Sequence, residues 1–184
     1  MELLIVIGVL GILAAGLLAA IDPFEQLKKA RDTNNRSAAI EFLSSSQRYY
    51  ANHGYLPWFK MTGAAYDCTS ATIDQLRVTT AAQPWPYVVV SKDTAPNHDA
   101  EMKTCVDGTL LIDGEIKDTF FDGLSTTLYV TSGSQTRVGV CFAPESKSNR
   151  SDGQTAYNVT TAGVVTDGCT TTQRDAGECV QCFQ

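Results

Sequence analysis

The sequence predicts an α+β fold: one long N-terminal helix over residues 1–53, and an antiparallel β-sheet head over residues 54–184 packed on the upper half of that helix. Three observations predict it. Residues 3–21 (LLIVIGVLGILAAGLLAAI) hold no charge and no strongly hydrogen-bonding side chain. From Phe24 to His53 the apolar and aromatic residues fall mostly at three- and four-residue steps, the spacing of one helix face. Beyond Gly54 the texture changes to Thr, Ser, Gly and short β-type runs.

The first element is the apolar run. At about 1.5 Å per residue it nearly crosses a hydrocarbon core of about 30 Å, so residues 3–21 read as a transmembrane segment. A cleaved signal peptide is the competing reading, but that needs a basic start, and this chain begins Met1-Glu2. Glu2 is a carboxylate beside a wholly apolar stretch. Buried, it needs a cation or a proton; in a headgroup layer it needs neither. Gly11, Ala15 and Ala19 recur every four residues, with Gly8 and Gly16 close by, leaving a narrow strip on which another backbone can approach. Pro23 lacks an N–H and disfavours helical geometry at Asp22. It either starts a second helix capped by Asp22 or marks a stretch that loosens.

The second element carries the stripe Leu27, Ala38, Ala39, Phe42, Leu43, Tyr49 and Tyr50, and Gly54 supplies a stop. Residues 39–50 are expected to pack on the sheet. Lys28, Lys29, Arg31, Asp32 and Arg36 form either a solvated face or a contact between neighbouring subunits. A basic cluster just after an apolar span argues for a cytoplasmic head, and six cysteines argue for an oxidising exterior. The cysteines are given the greater weight.

In the head, candidate strands cover residues 87–90, 109–112, 128–131, 137–142 and 156–159, with a weaker one at 163–166. Asp-Gly pairs at Asp107, Asp113, Asp122, Asp152 and Asp167 are expected to make tight turns between them. Residues 55–86, with Pro57, Pro84 and Pro86 and a short helical candidate at 70–78, form the connection from helix to sheet.

Cys68, Cys105, Cys141, Cys169, Cys179 and Cys182 favour three disulfides, with fifteen connectivities open. Cys179-Val-Gln-Cys182 is half of a zinc ribbon whose other half is missing. Acidic groups cluster at Asp93, Asp99 and Glu101 and at Asp113, Glu115 and Asp118, but no calcium-loop pattern accompanies them. No metal or other cofactor is expected. The three N-x-[ST] matches, at Asn35, Asn149 and Asn158, read as chance.

Charge and motif content narrow the function further. Residues 1–53 are neutral, so the net charge of −6 falls on the head, which disfavours nucleic-acid backbone binding by the subunit alone. With two histidines, no G-x-S-x-G, no phosphate loop and no H-E-x-x-H, an enzyme is not expected.

Residues Glu2 to Ala15, E-L-L-I-V-I-G-V-L-G-I-L-A-A, resemble the N-terminal helix of bacterial type IV pilins and the pseudopilins of type II secretion. The stretch D-P-F-E-Q-L-K-K-A-R-D from Asp22 to Asp32, with the later pair Tyr49-Tyr50, is similar to a segment of bacterial pilin-like chains. The likeness covers roughly the first thirty residues. It implies a pilin-like fold in which residues 3–21 are the filament core, and a prepilin whose leader a peptidase removes and whose new terminal residue is methylated. That leader and the first mature residues are absent here, so Met1 is expected to be an internal residue of the gene product. The family's late proline falls at Ala19 in this register.

The resemblance assigns Glu2 the glutamate that meets a neighbour's terminal amine, and it places Gly8, Gly11, Ala15, Ala19 and Pro23 on the assembly surface. The implied function is a structural subunit of an extracellular type IV pilus. Its implied partners are identical subunits in a helical filament, the inner-membrane assembly machinery, the prepilin peptidase and, before assembly, the lipid bilayer. A pseudopilin or minor pilin of a secretion or DNA-uptake system is the near alternative, and a membrane-tethered binding protein the remoter one.

Overall fold

The computed structural model describes residues 2–20, 22–71, 73–77, 85–92, 99–161 and 163–184, with the side chains of residues 18–20 excepted. Expectations placed on Met1, Ile21, Val78, Pro84, Asp93 and His98, and on the side chain of Ala19, lie outside the described residues.

The N-terminal region is two helices where one was expected. Helix α1 spans Glu2–Ala20 and helix α2 spans Pro23–His53. Proline is the reason for the second start. Asp22 sits in extended geometry (φ −83°, ψ 97°), and its carboxylate accepts from the Phe24 N–H at 3.1 Å and the Glu25 N–H at 3.2 Å. Pro23 follows at the first helical position, where a missing N–H costs nothing. Gly54 ends α2 in left-handed geometry (φ 79°), its N–H donating to the Tyr50 carbonyl at 2.7 Å.

The expectation of a transmembrane segment is also corrected. Among the described residues no helix is long and apolar enough to cross a membrane. Helix α1 has 19 residues, a rise of about 28 Å against a hydrocarbon core of about 30 Å.

The third correction concerns the sheet. It is not an open layer on a helix but a closed antiparallel barrel of six strands, ordered β3-β4-β5-β8-β6-β7 with β7 returning to β3. The strands are β3 (Trp85–Val90), β4 (Leu128–Ser134), β5 (Arg137–Phe142), β6 (Tyr157–Thr160), β7 (Val164–Asp167) and β8 (Cys179–Phe183). A separate hairpin pairs β1 (Met61–Thr62) with β2 (Ala65–Tyr66).

Alternation along the strands explains the closure. Val88, Val90, Leu128, Val130, Val140 and Phe142 are buried in one cluster with Ala39, Phe42, Leu43 and Tyr49 of α2. The neighbouring positions Tyr87, Tyr129 and Cys141 face the other way and cluster with Tyr157, Val159, Val165 and Val180. A sheet that is apolar on both faces needs cover on both. Helix α2 covers one, and β6, β7 and β8 curl round to cover the other.

Helices and turns fill the remainder. A 3-10 turn at Pro57–Phe59 buries Trp58, and a second at Ile73–Arg77 buries Ile73 and Leu76. Residues 109–112, expected as a strand, lie in helical geometry instead: α3 (Asp99–Val106) runs on into a π-helical turn at Asp107–Leu111, where the Thr109 hydroxyl donates to the Cys105 carbonyl at 2.8 Å. Short helices α4 (Phe120–Gly123), α5 (Lys147–Arg150) and α6 (Thr171–Ala176) complete the head. Of the Asp-Gly pairs, Asp113-Gly114 and Asp152-Gly153 lie in turns as expected, but none makes the β4–β5 hairpin. The β4–β5 turn is Gln135-Thr136, while Asp107-Gly108 and Asp122-Gly123 lie within helical turns.

Candidate functional site

Helix α1 is the surface that the folded chain leaves bare. Every described side chain from Glu2 to Leu17 is exposed, including Leu3, Leu4, Ile5, Ile12 and Leu17 at 66% or more. In water such a helix, apolar all round, has no stable position of its own. A contiguous apolar surface of this size marks an interaction site.

The residues expected on the assembly surface sit as follows. Glu2 opens α1 within its first turn. A Cβ added at Gly8, Gly11 or Gly16 would meet nothing within 4 Å, and Ala15 is exposed, so this strip is unpartnered in the single chain. Pro23 starts α2, the first of the two roles its chemistry allowed. The fold therefore brings Glu2, Gly8, Gly11 and Ala15 onto one exposed helix.

The six cysteines are all paired, as Cys68–Cys105, Cys141–Cys182 and Cys169–Cys179. Cys141 and Cys182 are directly opposed on β5 and β8, with Cα atoms 4.0 Å apart. Cys179 and Cys182 thus enter different bonds, which removes the half-ribbon reading. Three disulfides fit an oxidising compartment for the head. Among the described residues no group of three or more His, Cys, Asp or Glu side chains gathers to hold a metal.

A polar seam joining α2 to the head escaped the sequence reading. Asp32, expected on a charged face, is buried, and it accepts from the Glu145 N–H at 2.8 Å, the Ser146 N–H at 2.9 Å, the Ser146 hydroxyl at 2.6 Å and Asn149 Nδ2 at 2.9 Å. Burial opposes its charge, but these four donors outweigh burial and hold the carboxyl below its ordinary range. Beside it, Arg31 pairs with Glu145 at 3.1 Å.

Further along α2, Arg48 Nε donates to Glu115 Oε2 at 2.6 Å and Asn52 Nδ2 to Glu115 Oε1 at 3.1 Å. The Ser45 hydroxyl donates to the Glu115 carbonyl at 2.8 Å, and His53 Nε2 lies 3.3 Å from Asp113. Asp113 and Glu115, weighed as cation ligands, are docking groups. The only sequence signal for Asp32 is its place on the α2 face that continues through Asn35, Ala39 and Phe42 at three- and four-residue steps.

Comparisons of the chain with family models, curated proteins and solved structures return no match. The functional reading therefore rests on the residues and geometry above.

Proposed function

We propose that the chain is a structural subunit that polymerises through α1 into an extracellular filament of the type IV pilus kind. The observation that carries this reading is the bare apolar surface of α1 beside a head that buries its own apolar core. Copies of α1 bundled together would cover that surface, and lipid would shield it before assembly. The strip at Gly8, Gly11 and Ala15 allows close helix contact there. Glu2, at the head of α1, would meet the terminal amine of a neighbour, since a carboxylate carried into an apolar bundle needs a cation. The resemblance of residues 2–15 to the pilin helix supports the same reading, and it extends to a peptidase-processed precursor and a separate assembly machine. The barrel lends no support of its own. The reaction is assembly, with no bond made or broken by the subunit.

Electron microscopy of sheared cell-surface material, labelled with antibody to the head, tests the proposal. Thin labelled filaments from wild-type cells, lost in Glu2→Leu cells that still hold folded subunit, are the expected result. Recovery of the wild-type chain only as dispersed protein would reject it.

A further inference from the structure

A cavity of about 270 Å³ opens at one end of the barrel, where the start of β3, the β4–β5 hairpin and the last turns of α2 meet. It belongs to no element of the filament reading. Its floor is apolar, with Leu56 buried beneath it, and its walls carry two aromatic rings, those of Trp85 and Tyr50, both half-buried. The rim carries the side-chain amides of Gln47 and Gln184, both exposed. Gly139, paired with Thr131 across β4 and β5, keeps the wall free of side chain: a Cβ there would lie 2.7 Å from Thr131 Oγ1.

Charge gives the cavity a sign. Arg137 lines it, and none of the described side chains lining it is acidic. Among the described residues no carboxylate pairs with that guanidinium. Its hydrogen bond is to Gln184 Oε1, at 3.5 Å, the outer limit of a contact. Arg137 is exposed at the cavity, so its guanidinium is open to an anion there. The volume lies below the roughly 300 Å³ at which drug-sized sites begin, so it admits one ring rather than two.

We infer that this cavity binds a sugar acid, a single pyranose unit bearing a carboxylate. The weakly polar face of the ring stacks on Trp85, the hydroxyls exchange hydrogen bonds with Gln47 and Gln184, and the carboxylate pairs with Arg137. Carboxylate and guanidinium make a two-pronged, charge-assisted contact, whereas a neutral hexose keeps only the stacking and the amides. The inference is independent of filament assembly, because all of these residues belong to the head and to α2.

Nitrogen-15 correlation spectra of the full chain, dispersed in a phosphocholine detergent so that no sugar headgroup competes, provide the test. The two tryptophans separate the outcomes: Trp85 lines the cavity, while Trp58 is buried with its Nε1 donating to Ser132 Oγ at 3.2 Å. Titration with D-glucuronate should move the Trp85 indole signal and leave that of Trp58 in place. D-glucose should bind about tenfold more weakly or worse, the worth of one good charged contact. Arg137→Gln, at an exposed position, should bring glucuronate down to the level of glucose, and Trp85→Leu should abolish both. Methyl β-D-glucuronide distinguishes the source, since its binding points to a chain-end residue of a polysaccharide and its exclusion to the free acid. Three results would overturn the inference: an unmoved Trp85 signal, undiminished glucuronate binding by Arg137→Gln, or phenylacetate binding as tightly as glucuronate.

Discussion

At Asp32 a single buried carboxylate organises the segment that follows β5, because its two oxygens satisfy four donors from Glu145, Ser146 and Asn149. Replacing it by Asn turns one accepting oxygen into a donor, which then opposes either the Glu145 N–H or the Ser146 and Asn149 donors, and the variant should lose about 2–4 kcal/mol of head stability in thermal or urea unfolding. The pH dependence follows from the lowered carboxyl pKa. A group held below its unfolded value contributes stability above the ordinary carboxylate pKa of about 4 and loses that contribution as pH falls through the folded value. Unfolding curves from pH 7 down to pH 2 should therefore show the gap between wild type and Asp32→Asn widest near neutrality and closing below about pH 4. A gap that stays constant over that range would mean that Asp32 acts by shape and not by charge. In the sequence this residue lay inside a run of charged side chains, and charge alone reads as exposure. Its burial is decided by backbone N–H groups more than a hundred residues away, which no local pattern announces.

Among the elements, α2 was legible and the joint before it nearly so. The Asp22-Pro23 pair carries its own instruction, because both residues favour a helix start and neither favours a helix interior. Asp22→Ala should cost about 1 kcal/mol, confined to the first turn. Hydrogen exchange at the Phe24 and Glu25 amides should quicken while the barrel amides stay unchanged. Quickening throughout α2 would show that the cap supports the docked helix as a whole. The strands β3 to β7 followed their alternating residues, but residues 109–112 did not become a strand. A short apolar run fits either geometry, and Cys105, tied to Cys68 one turn earlier, continues α3 through it. Strand β8 is hidden in the sequence because Cys179-Val-Gln-Cys182 has the spacing of a ligand motif, while its alternation, Val180 and Cys182 inward, is that of a strand.

For the molecule as a whole, that one strand decides the architecture, since β8 joins β5 to β6 and without it the sheet stays open. The bond between Cys141 and Cys182 locks the joint. Removing it as a Cys141→Ser, Cys182→Ser pair should destabilise the head by about 4 kcal/mol, against about 3 kcal/mol for the Cys169 and Cys179 pair, because the sequence separations are 41 and 10. Equal losses would indicate that loop entropy is not the controlling factor. Helix α1 contributes to no such balance, so Gly11→Leu should leave head unfolding unchanged within about 0.5 kcal/mol while lowering filament yield. Charge reversal at exposed Asp152 should leave the yield near that of wild type. A Gly11→Leu subunit that assembles fully would place the contacts on another face of α1. The seam along α2 has a mechanical consequence. A pull delivered through α1 reaches the head along the axis of α2, which is held at Asp32, at the buried stripe of Ala39, Phe42 and Leu43, and again at Arg48 and Asn52. Attachments spread along an axis and loaded along that axis share the force in shear, and they yield together at a higher load than contacts peeled one after another.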